Sequence, residues 1–168
     1  MKKVVSLLVL FVSVIMMTGC SNKMAKVDIQ YQDYQISLSE AITQYQQATN
    51  QQELTQISFE PSELADKKND WYKYYGYYFF NQDDKFVVDA NTGETLTGTK
   101  EVTNQSTEVF GLAELTHVKE PKEAMKEAMK GSRSSRVMGW TLKKSKGKFV
   151  YTVAIKTLTS AKEVEVAG

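Results

Sequence analysis

The sequence predicts an α+β protein made of two tandem small units, each with one helix packed on a small antiparallel β-sheet. Three observations carry this prediction. A helical apolar period follows Ser37, a run of strongly β-forming residues occupies 71–80, and the order of helix followed by strands recurs after residue 109. A repeat of about 50–60 residues is long enough to be treated as an internal duplication.

The N-terminus has the pattern of an export signal. Lys2 and Lys3 precede an apolar stretch from 4 to 19, which ends in small residues just before Cys20. This stretch is shorter than the roughly 20 apolar residues that span a bilayer, and it contains polar residues. We therefore predict a cleaved signal peptide over 1–19.

The tetrapeptide Met17-Thr18-Gly19-Cys20 resembles the bacterial lipobox, with Met17 in place of the commoner leucine. The resemblance implies cleavage before Cys20 and a diacylglyceryl modification of this cysteine, with palmitate among its acyl chains. Residues 20–26 would then form the acylated cysteine and a short tether at the extracytoplasmic face of the bacterial cell membrane. The alternatives are a secretory signal with a chance cysteine and an uncleaved anchor helix.

Composition excludes several classes of function. Without residues 1–20, 19 Lys+Arg stand against 20 Asp+Glu, a balance that indicates neither nucleic-acid binding nor a polybasic membrane patch. Since Cys20 is the only cysteine, no disulfide can staple the fold. We therefore expect packing to supply the stability and the acyl chains to supply the membrane attachment.

The first unit is predicted over 27–98. We expect a short strand at 27–31, and then a helix that begins with a capping box of Ser37 and Glu40. The apolar stripe of that helix is Leu38, Ala41, Ile42, Tyr45 and Ala48. A strand at 54–59 and an antiparallel hairpin of 71–80 with 85–90 follow.

A turn closes the first unit. Asp89 is expected to bond backbone amides there, and Gly93 suits a positive φ angle. The segment 89–94 also has the beginning of a calcium loop, but glycine falls one place too early and no acid closes the loop, so we predict no metal. Because Thr, Asn, Gln, Ser and Gly then dominate, we assign 99–108 as a linker.

The second unit is predicted over 109–168 and repeats the layout. A short strand or turn at 109–115 precedes a helix with Pro121 at its first position and Gly131 as its C-cap. Strands follow at 136–142, 149–158 and 162–166. The lysines at 143, 144, 146 and 148 fall at a hairpin tip, as a solvated cluster or a weak contact with anionic lipid.

The Ser37-Leu-Ser-Glu-Ala41 helix start, the tyrosine-rich hairpin and the closing segment VVDANTGETL at 87–96 resemble the PepSY domain. The second unit matches that family in layout only, because its end at 166–168 lacks the aspartate and the threonine-glycine turn. The resemblance implies exported α+β units that inhibit or regulate peptidases, with no catalytic residue to carry over.

No catalytic or cofactor site is predicted. His117 is the only histidine, no Gly-x-Ser-x-Gly element accompanies it, and the usual zinc ligand sets cannot be assembled. We therefore expect a protein that is not an enzyme and that holds neither a metal nor a cofactor.

The aromatic block is the candidate partner-binding site, since eight of the ten residues at 71–80 are aromatic. One face of this strand can pack on the helix, while the other either packs on the second unit or stays exposed to a partner. The candidate residues are Trp71, Tyr72, Tyr74, Tyr75, Tyr77 and Tyr78.

The function that these observations favour is a non-catalytic envelope lipoprotein that binds a protein or peptide partner. Strand addition to the hairpin or to an exposed sheet edge beside it is the natural mode. The PepSY resemblance adds restraint of an envelope peptidase as the consequence. The alternative is a small-ligand-binding lipoprotein of a transport or sensing system, and a hydrolase is the least supported class.

Overall fold

The structure is a computed structural model, and it describes residues 28–64, 74–82, 84–99, 108–132 and 134–168. The signal peptide predicted at 1–19, the acylated cysteine and tether at 20–26, and most of the linker at 99–108 lie outside these ranges. Trp71 and Tyr72 also lie outside them.

The described elements alternate short helices with strands. A 3₁₀ turn at Ile29–Tyr31 precedes helix α1, and a second 3₁₀ helix at Leu112–His117 precedes helix α2. The helices and strands are α1 (Leu38–Thr49), β1 (Glu53–Leu54), β2 (Gln56–Pro61), β3 (Tyr75–Phe80), β4 (Asp84–Asp89), β5 (Thr95–Thr99), β6 (Phe110–Gly111), α2 (Pro121–Ala128), β7 (Arg136–Ser145), β8 (Lys148–Lys156) and β9 (Ala161–Ala167).

Among the described residues, the main sheet has seven strands in the order β5-β4-β3-β2-β7-β8-β9, and β1 pairs with β6 in a separate two-stranded sheet. Every pairing is antiparallel. The predicted α+β class, with helices on antiparallel strands, is confirmed. The strands of both halves join in one sheet, because β2 pairs with β3 on one side and with β7 on the other.

Helix α1 begins where the sequence predicts. The Ser37 hydroxyl accepts a hydrogen bond from the Glu40 backbone N–H at 3.2 Å, and the Glu40 carboxylate accepts one from the Ser37 N–H at 2.7 Å. These two bonds satisfy donors that a helix start leaves unpaired. Asn50 ends the helix in the left-handed conformation, with φ at 55°.

The strand predicted at 27–31 is wrong, because the described part of this segment forms a 3₁₀ turn at Ile29–Tyr31. The Asp28 carboxylate accepts a hydrogen bond from the Gln30 N–H at 3.0 Å and caps this turn. An aspartate that bonds the backbone two residues further on offers the chain an alternative to strand pairing. The apolar alternation at 27–31 therefore marks a capped turn that buries Ile29.

The core lies between the helices and one face of the sheet. Tyr45 of α1 stacks on Phe79 of β3, with ring centroids 5.1 Å apart, and α2 buries Ala124 and Met125. Trp140 of β7 is 4 % exposed and lies against Phe59 of β2, across the junction of the two halves. One continuous core therefore joins residues from both halves.

The second half follows its predicted layout. Pro121 occupies the first turn of α2, and Gly131 has a φ of 77° just beyond the end of this helix. The segment predicted as a short strand or turn at 109–115 is split between β6 and the second 3₁₀ helix. Strands β7, β8 and β9 correspond to the three predicted strands.

Candidate functional site

Tyr75 and Tyr77 of the aromatic block point toward the helices and are buried, at 0 % and 8 % exposed. The Tyr75 hydroxyl donates a hydrogen bond to the Met138 carbonyl at 2.8 Å. The Tyr77 hydroxyl donates to the Ile36 carbonyl at 3.2 Å, and its ring lies 6.5 Å from that of Trp140. These contacts tie the aromatic strand to the second half of the chain.

Tyr78 points to the opposite face of the sheet, yet it is only 2 % exposed. Its hydroxyl donates a hydrogen bond to the Pro61 carbonyl at 2.8 Å and accepts one from the Glu63 N–H at 2.8 Å. The end of β2 and the residues just after it therefore cover this ring. Both polar functions of the hydroxyl are used by backbone partners, as a buried tyrosine requires.

The candidate aromatic binding surface is thus corrected for three of its residues. Tyr75, Tyr77 and Tyr78 are core residues, because β3 is a central strand with both of its faces covered. Tyr74 is half-buried and precedes the strand. Trp71 and Tyr72 lie outside the described residues, and so does Cys20.

Burial changes the ionisation of the core tyrosines. Loss of water contact raises the pKa of both Tyr75 and Tyr77 to about 12, and burial also raises the pKa of Tyr78. At neutral pH these hydroxyls keep their protons and act as hydrogen-bond donors. Their chemistry is that of core residues that fix neighbouring backbone.

The turn at Asp89 and Gly93 is built as a structural turn. The Asp89 carboxylate accepts hydrogen bonds from the backbone N–H groups of Asn91 and Thr92, each at 2.9 Å. Gly93 has a φ of 73°, and a Cβ there would lie 3.3 Å from Ile36 Cδ1. The turn thereby aligns β4 with β5 and packs beneath the loop that precedes α1.

The residues considered for catalysis and metal binding are dispersed. His117 lies at the exposed end of the second 3₁₀ helix. Within the described ranges, no three His, Cys, Asp or Glu side chains are close enough together to hold a metal ion.

The two edge strands of the sheet differ in charge. Strand β5 has the sequence Thr-Leu-Thr-Gly-Thr without a charged residue, whereas β9 carries Lys162, Glu163 and Glu165. Charges on an edge strand prevent pairing with another chain, and an uncharged edge lacks this protection. Sequence reasoning missed β5 and described only a turn and a linker here. The signal was the β-branched threonine at every second position.

The hydrogen-bond direction along β5 follows from the turn before it. The Asp89 N–H donates to the Glu94 carbonyl at 2.8 Å, and the Ala90 N–H donates to the Tyr75 carbonyl at 2.8 Å. Backbone N–H and C=O groups alternate in direction along a strand. Those of Leu96 and Gly98 therefore point to β4, while those of Thr95, Thr97 and Thr99 point outward. Among the described strands, none pairs with this outer edge.

Side chains on the face of the sheet opposite the helices form a row that reaches both edges, and its members Val87, Tyr78 and Ser58 are buried. Cross-strand pairing connects Leu96, Val87, Tyr78, Ser58, Thr141, Thr152 and Glu165 in that order. Leu96 is 38 % exposed at the β5 end, and Glu165 is exposed at the β9 end. The row offers an apolar position at one edge and a charged one at the other.

A cleft of about 490 Å³ lies between the start of α1 and the second 3₁₀ helix. Leu38 and Ile42 of α1 form one wall, Leu115 lies on the other, and Leu142 and Tyr151 line it from the sheet. Its volume falls in the range of small-molecule sites. The lining is mainly apolar, which suits a ligand with apolar surface.

Among known proteins, the similarity that was found is to the fold of one solved structure. No protein-family model and no curated protein matches the chain. The fold is similar to the crystal structure of a "putative lipoprotein" from Clostridium difficile 630, with a TM-score of 0.61 and 20 % sequence identity. The similarity covers 83 % of this chain and 91 % of that chain. At this identity the likeness concerns the fold, and the PepSY resemblance stays a prediction.

Among the residues that the structure describes, no helix has the length and apolar character needed to cross a bilayer.

Proposed function

We propose that this chain is a non-catalytic lipoprotein of the bacterial cell envelope that binds an extended protein or peptide segment by strand addition to β5. The observation that carries this proposal is the outer edge of β5. It combines exposed threonines, outward-directed backbone groups and no charged side chain. The binding site of the proposal therefore moves from the aromatic strand to the sheet edge two strands away.

Strand addition explains how an edge strand without charged side chains could bind a partner. Main-chain hydrogen bonds from Thr95, Thr97 and Thr99 would supply affinity, while side-chain positions supply selectivity. Leu96 would contact one side chain of the added strand on the face of the sheet opposite the helices. A partner segment with an apolar or β-branched residue at that position fits this edge best.

Lipid anchoring through Cys20 is supported by the Met17-Thr18-Gly19-Cys20 motif and by the lipoprotein description of the structural neighbour. Replacing Cys20 with serine should move the protein from the membrane fraction to the soluble fraction of its host cell. Retention of the Cys20→Ser variant on membranes would contradict anchoring through an acyl chain. Restraint of a peptidase rests on the PepSY resemblance alone, and it would be assayed on the partner once that protein is identified.

Strand addition is tested by photocrosslinking in intact cells from a benzoylphenylalanine placed at Leu96. The matched control is the same residue at Glu165, because both positions lie in one cross-strand row at opposite edges of the sheet. We expect one envelope protein to be captured at Leu96 and not at Glu165. Equal capture from both edges, or none from Leu96, would contradict the proposal.

A proline at Thr97 separates backbone pairing from side-chain contact. The change removes an outward N–H while leaving the β4–β5 hydrogen bonds in place, and proline is tolerated on edge strands. We expect Thr97→Pro to abolish capture and binding of the purified partner at nearly unchanged thermal stability. Full binding by a folded Thr97→Pro variant would rule out strand addition through this residue.

The cleft beside α1 favours a second candidate, the binding of an apolar small ligand. Filling it with Leu115→Trp should displace such a ligand, which native mass spectrometry of the purified protein would detect as a mass adduct. A ligand that stabilises the wild-type protein but not the filled variant would support this candidate.

A further inference from the structure

The near-zero net charge of the chain conceals a strong separation of charge along it. Residues 128–162 contain nine lysines and arginines and no acidic residue. All 20 aspartates and glutamates lie outside this segment, which forms β7, β8 and the turns at their ends. The absence of a polybasic surface, expected from the overall composition, therefore does not hold for this part of the molecule.

The basic residues gather at the two ends of the β7–β8 hairpin, and the two ends differ. At the tip, the Lys144 ammonium pairs with the Glu114 carboxylate at 2.6 Å, and the Glu108 carboxylate accepts hydrogen bonds from the backbone of Lys146 and Gly147. Acidic groups from outside the hairpin thus offset part of the tip's charge. A solvated tip is the simplest role for these lysines.

The other end lies where the described chain begins. The carboxylate of Asp28 is buried and accepts hydrogen bonds from the backbone N–H groups of Gln30 and Val137, close to the Arg136 guanidinium. Arg136 pairs with Lys156, so the start of β7 and the end of β8 meet at this point. The first described residue is therefore held at the end of the hairpin opposite to the lysine tip.

Chain length relates this end to the proposed lipid anchor. Cys20 lies eight residues before Asp28, so fully extended chain would separate the two by at most about 28 Å. The lysine tip is farther away, because the ten residues of β7 add about 33 Å along the strand. An acylated Cys20 therefore keeps the Asp28 end of the sheet close to the bilayer.

The β8–β9 turn displays an apolar side chain at this same end. Leu158 is 75 % exposed, the highest exposure among the large hydrophobic residues whose surfaces the structure describes. The turn that carries it is fixed: the Thr157 N–H donates to the Ser160 carbonyl at 2.8 Å, and the Thr157 hydroxyl accepts from the Ser160 N–H at 3.0 Å. An ordered turn pays little conformational entropy when it presents Leu158 to a partner.

Exposed lysines flank the turn that carries this leucine. Lys156 and Lys162 flank the turn on β8 and β9, and Lys130 follows α2 at the same end. Lys162 reaches the Ser132 hydroxyl at 3.4 Å, which brings the residues after α2 beside the turn. The acidic residues on these elements are Glu123 and Glu127 of α2 and Glu163 and Glu165 of β9, beside the buried Asp28. Glu127 is paired with Lys119 at 2.9 Å, and the turn segment 156–162 has two lysines and no acidic residue, so positive charge prevails at the turn.

We propose that this end of the sheet, with Leu158 and the lysines 130, 156 and 162, contacts the anionic surface of the membrane and orients the protein on it. The proposal rests on the lipid anchor at Cys20. Leu158 enters the headgroup region, while each lysine near the surface is attracted electrostatically to anionic lipid. The acyl chains give attachment, and the basic end gives orientation.

Fluorescence quenching of the acylated, full mature chain in lipid vesicles tests the proposal. Because Cys20 is blocked by its lipid, Leu158→Cys provides a single thiol for an environment-sensitive dye, and Lys146→Cys provides the matched position at the hairpin tip. In vesicles of phosphatidylcholine and phosphatidylglycerol that carry a nitroxide-labelled lipid, we expect strong quenching at 158 and little at 146. Similar quenching at the two positions would overturn the proposal.

The lysines are tested with paired double substitutions in the same labelled chains. The quantity compared is the ratio of molecules whose β8–β9 turn contacts the membrane to molecules whose turn is detached. Lys156→Glu with Lys162→Glu should lower this ratio about fivefold for each lysine, whereas Lys146→Glu with Lys148→Glu should leave it unchanged. Equal quenching at 158 in vesicles without phosphatidylglycerol would overturn the assignment to anionic lipid.

Failure of the anchor is distinguishable from failure of the orientation. A wild-type chain that does not float with vesicles, or whose Cys20 reacts with the dye, refutes the anchor and with it the orientation. A chain that floats while its 158 dye stays unquenched refutes the orientation alone.

Discussion

Replacing Gly139 with alanine tests the junction at which the two halves of the chain become one sheet. Gly139 lies in β7 opposite β2, and a Cβ at this position would be 2.7 Å from the Phe59 carbonyl oxygen. Because that oxygen belongs to backbone, β2 and β7 must move apart to admit the methyl group. We expect Gly139→Ala to lower the free energy of unfolding by about 2 kcal/mol, or roughly 4–8 °C in Tm.

Urea unfolding followed by tryptophan fluorescence and by circular dichroism measures this loss, and Gly98→Ala is the matched control. At Gly98, also in a strand, a Cβ would meet only the Lys85 side chain at 3.6 Å. Gly98→Ala should therefore change the free energy of unfolding by less than about 0.5 kcal/mol. If both variants are equally stable, or if the two halves of Gly139→Ala unfold in separate transitions, the shared core does not couple the halves as described.

Two further predictions concern buried polar groups. Burial raises the pKa of Tyr75 and of Tyr77 from 10.0 to about 12, so both hydroxyls hold their protons more tightly in the folded protein than in the unfolded chain. The free energy of unfolding should therefore be unaffected below pH 10 and should fall as the pH rises from 10 to 12. Urea midpoints measured below pH 10 and at about pH 11 should therefore differ, and Tyr75→Phe should reduce the difference; an unchanged difference would contradict burial as its cause. Asp89→Ala should lower the free energy of unfolding by about 1–3 kcal/mol, since the N–H groups of Asn91 and Thr92 lose their acceptor. Asp89→Asn keeps an acceptor oxygen and should cost less in the same urea assay, and an equal loss in both variants would exclude this explanation.

The local elements could be predicted because their signals lie within a few residues of each other. The Ser37–Glu40 capping box marks the start of α1, and Pro121 marks that of α2. The β-forming residues at 71–80 and 85–90 predict a hairpin, which the structure contains as the antiparallel pair of Tyr75–Phe80 and Asp84–Asp89. Asp28 shows where such reasoning fails, since one capping side chain turns an apparent strand into a 3₁₀ turn.

The arrangement of the sheet could not be predicted, because it depends on pairs far apart in sequence. Nothing local in β2 indicates that its second neighbour is β7, and this pairing joins the strands of the two halves in one sheet. The sequence leaves Tyr78 either packed on the second unit or exposed to a partner, whereas in the structure the backbone of Pro61 and Glu63 covers its ring. Burial of a sheet face depends on what crosses it, and the alternation along a strand shows only that two faces exist.

The basic end of the sheet could not be predicted either, because it also depends on residues far apart in sequence and because a whole-chain charge count hides it. A count over the whole chain gives near neutrality, so the acid-free segment at 128–162 was overlooked although it can be read directly from the sequence. Its meaning required the structure, which places Asp28 beside Arg136 and Leu158 at the adjacent turn. The charge of each structural element is therefore informative in this protein, whereas the net charge of the whole chain is not.

The two proposals use different parts of one sheet, and this geometry makes them compatible. The turn assigned to the membrane joins the end of β8 to the start of β9, whereas β5 is the opposite edge strand, six strand spacings or about 29 Å from β9. A peptide added to β5 would therefore not compete with lipid for the same surface. If the Leu158 end rests on the bilayer, the strands stand upright and β5 presents its outward groups sideways, toward segments of neighbouring envelope proteins. Loss of orientation through Lys156→Glu with Lys162→Glu should then reduce crosslinking from Leu96 in cells, while binding of the purified partner in solution stays unchanged.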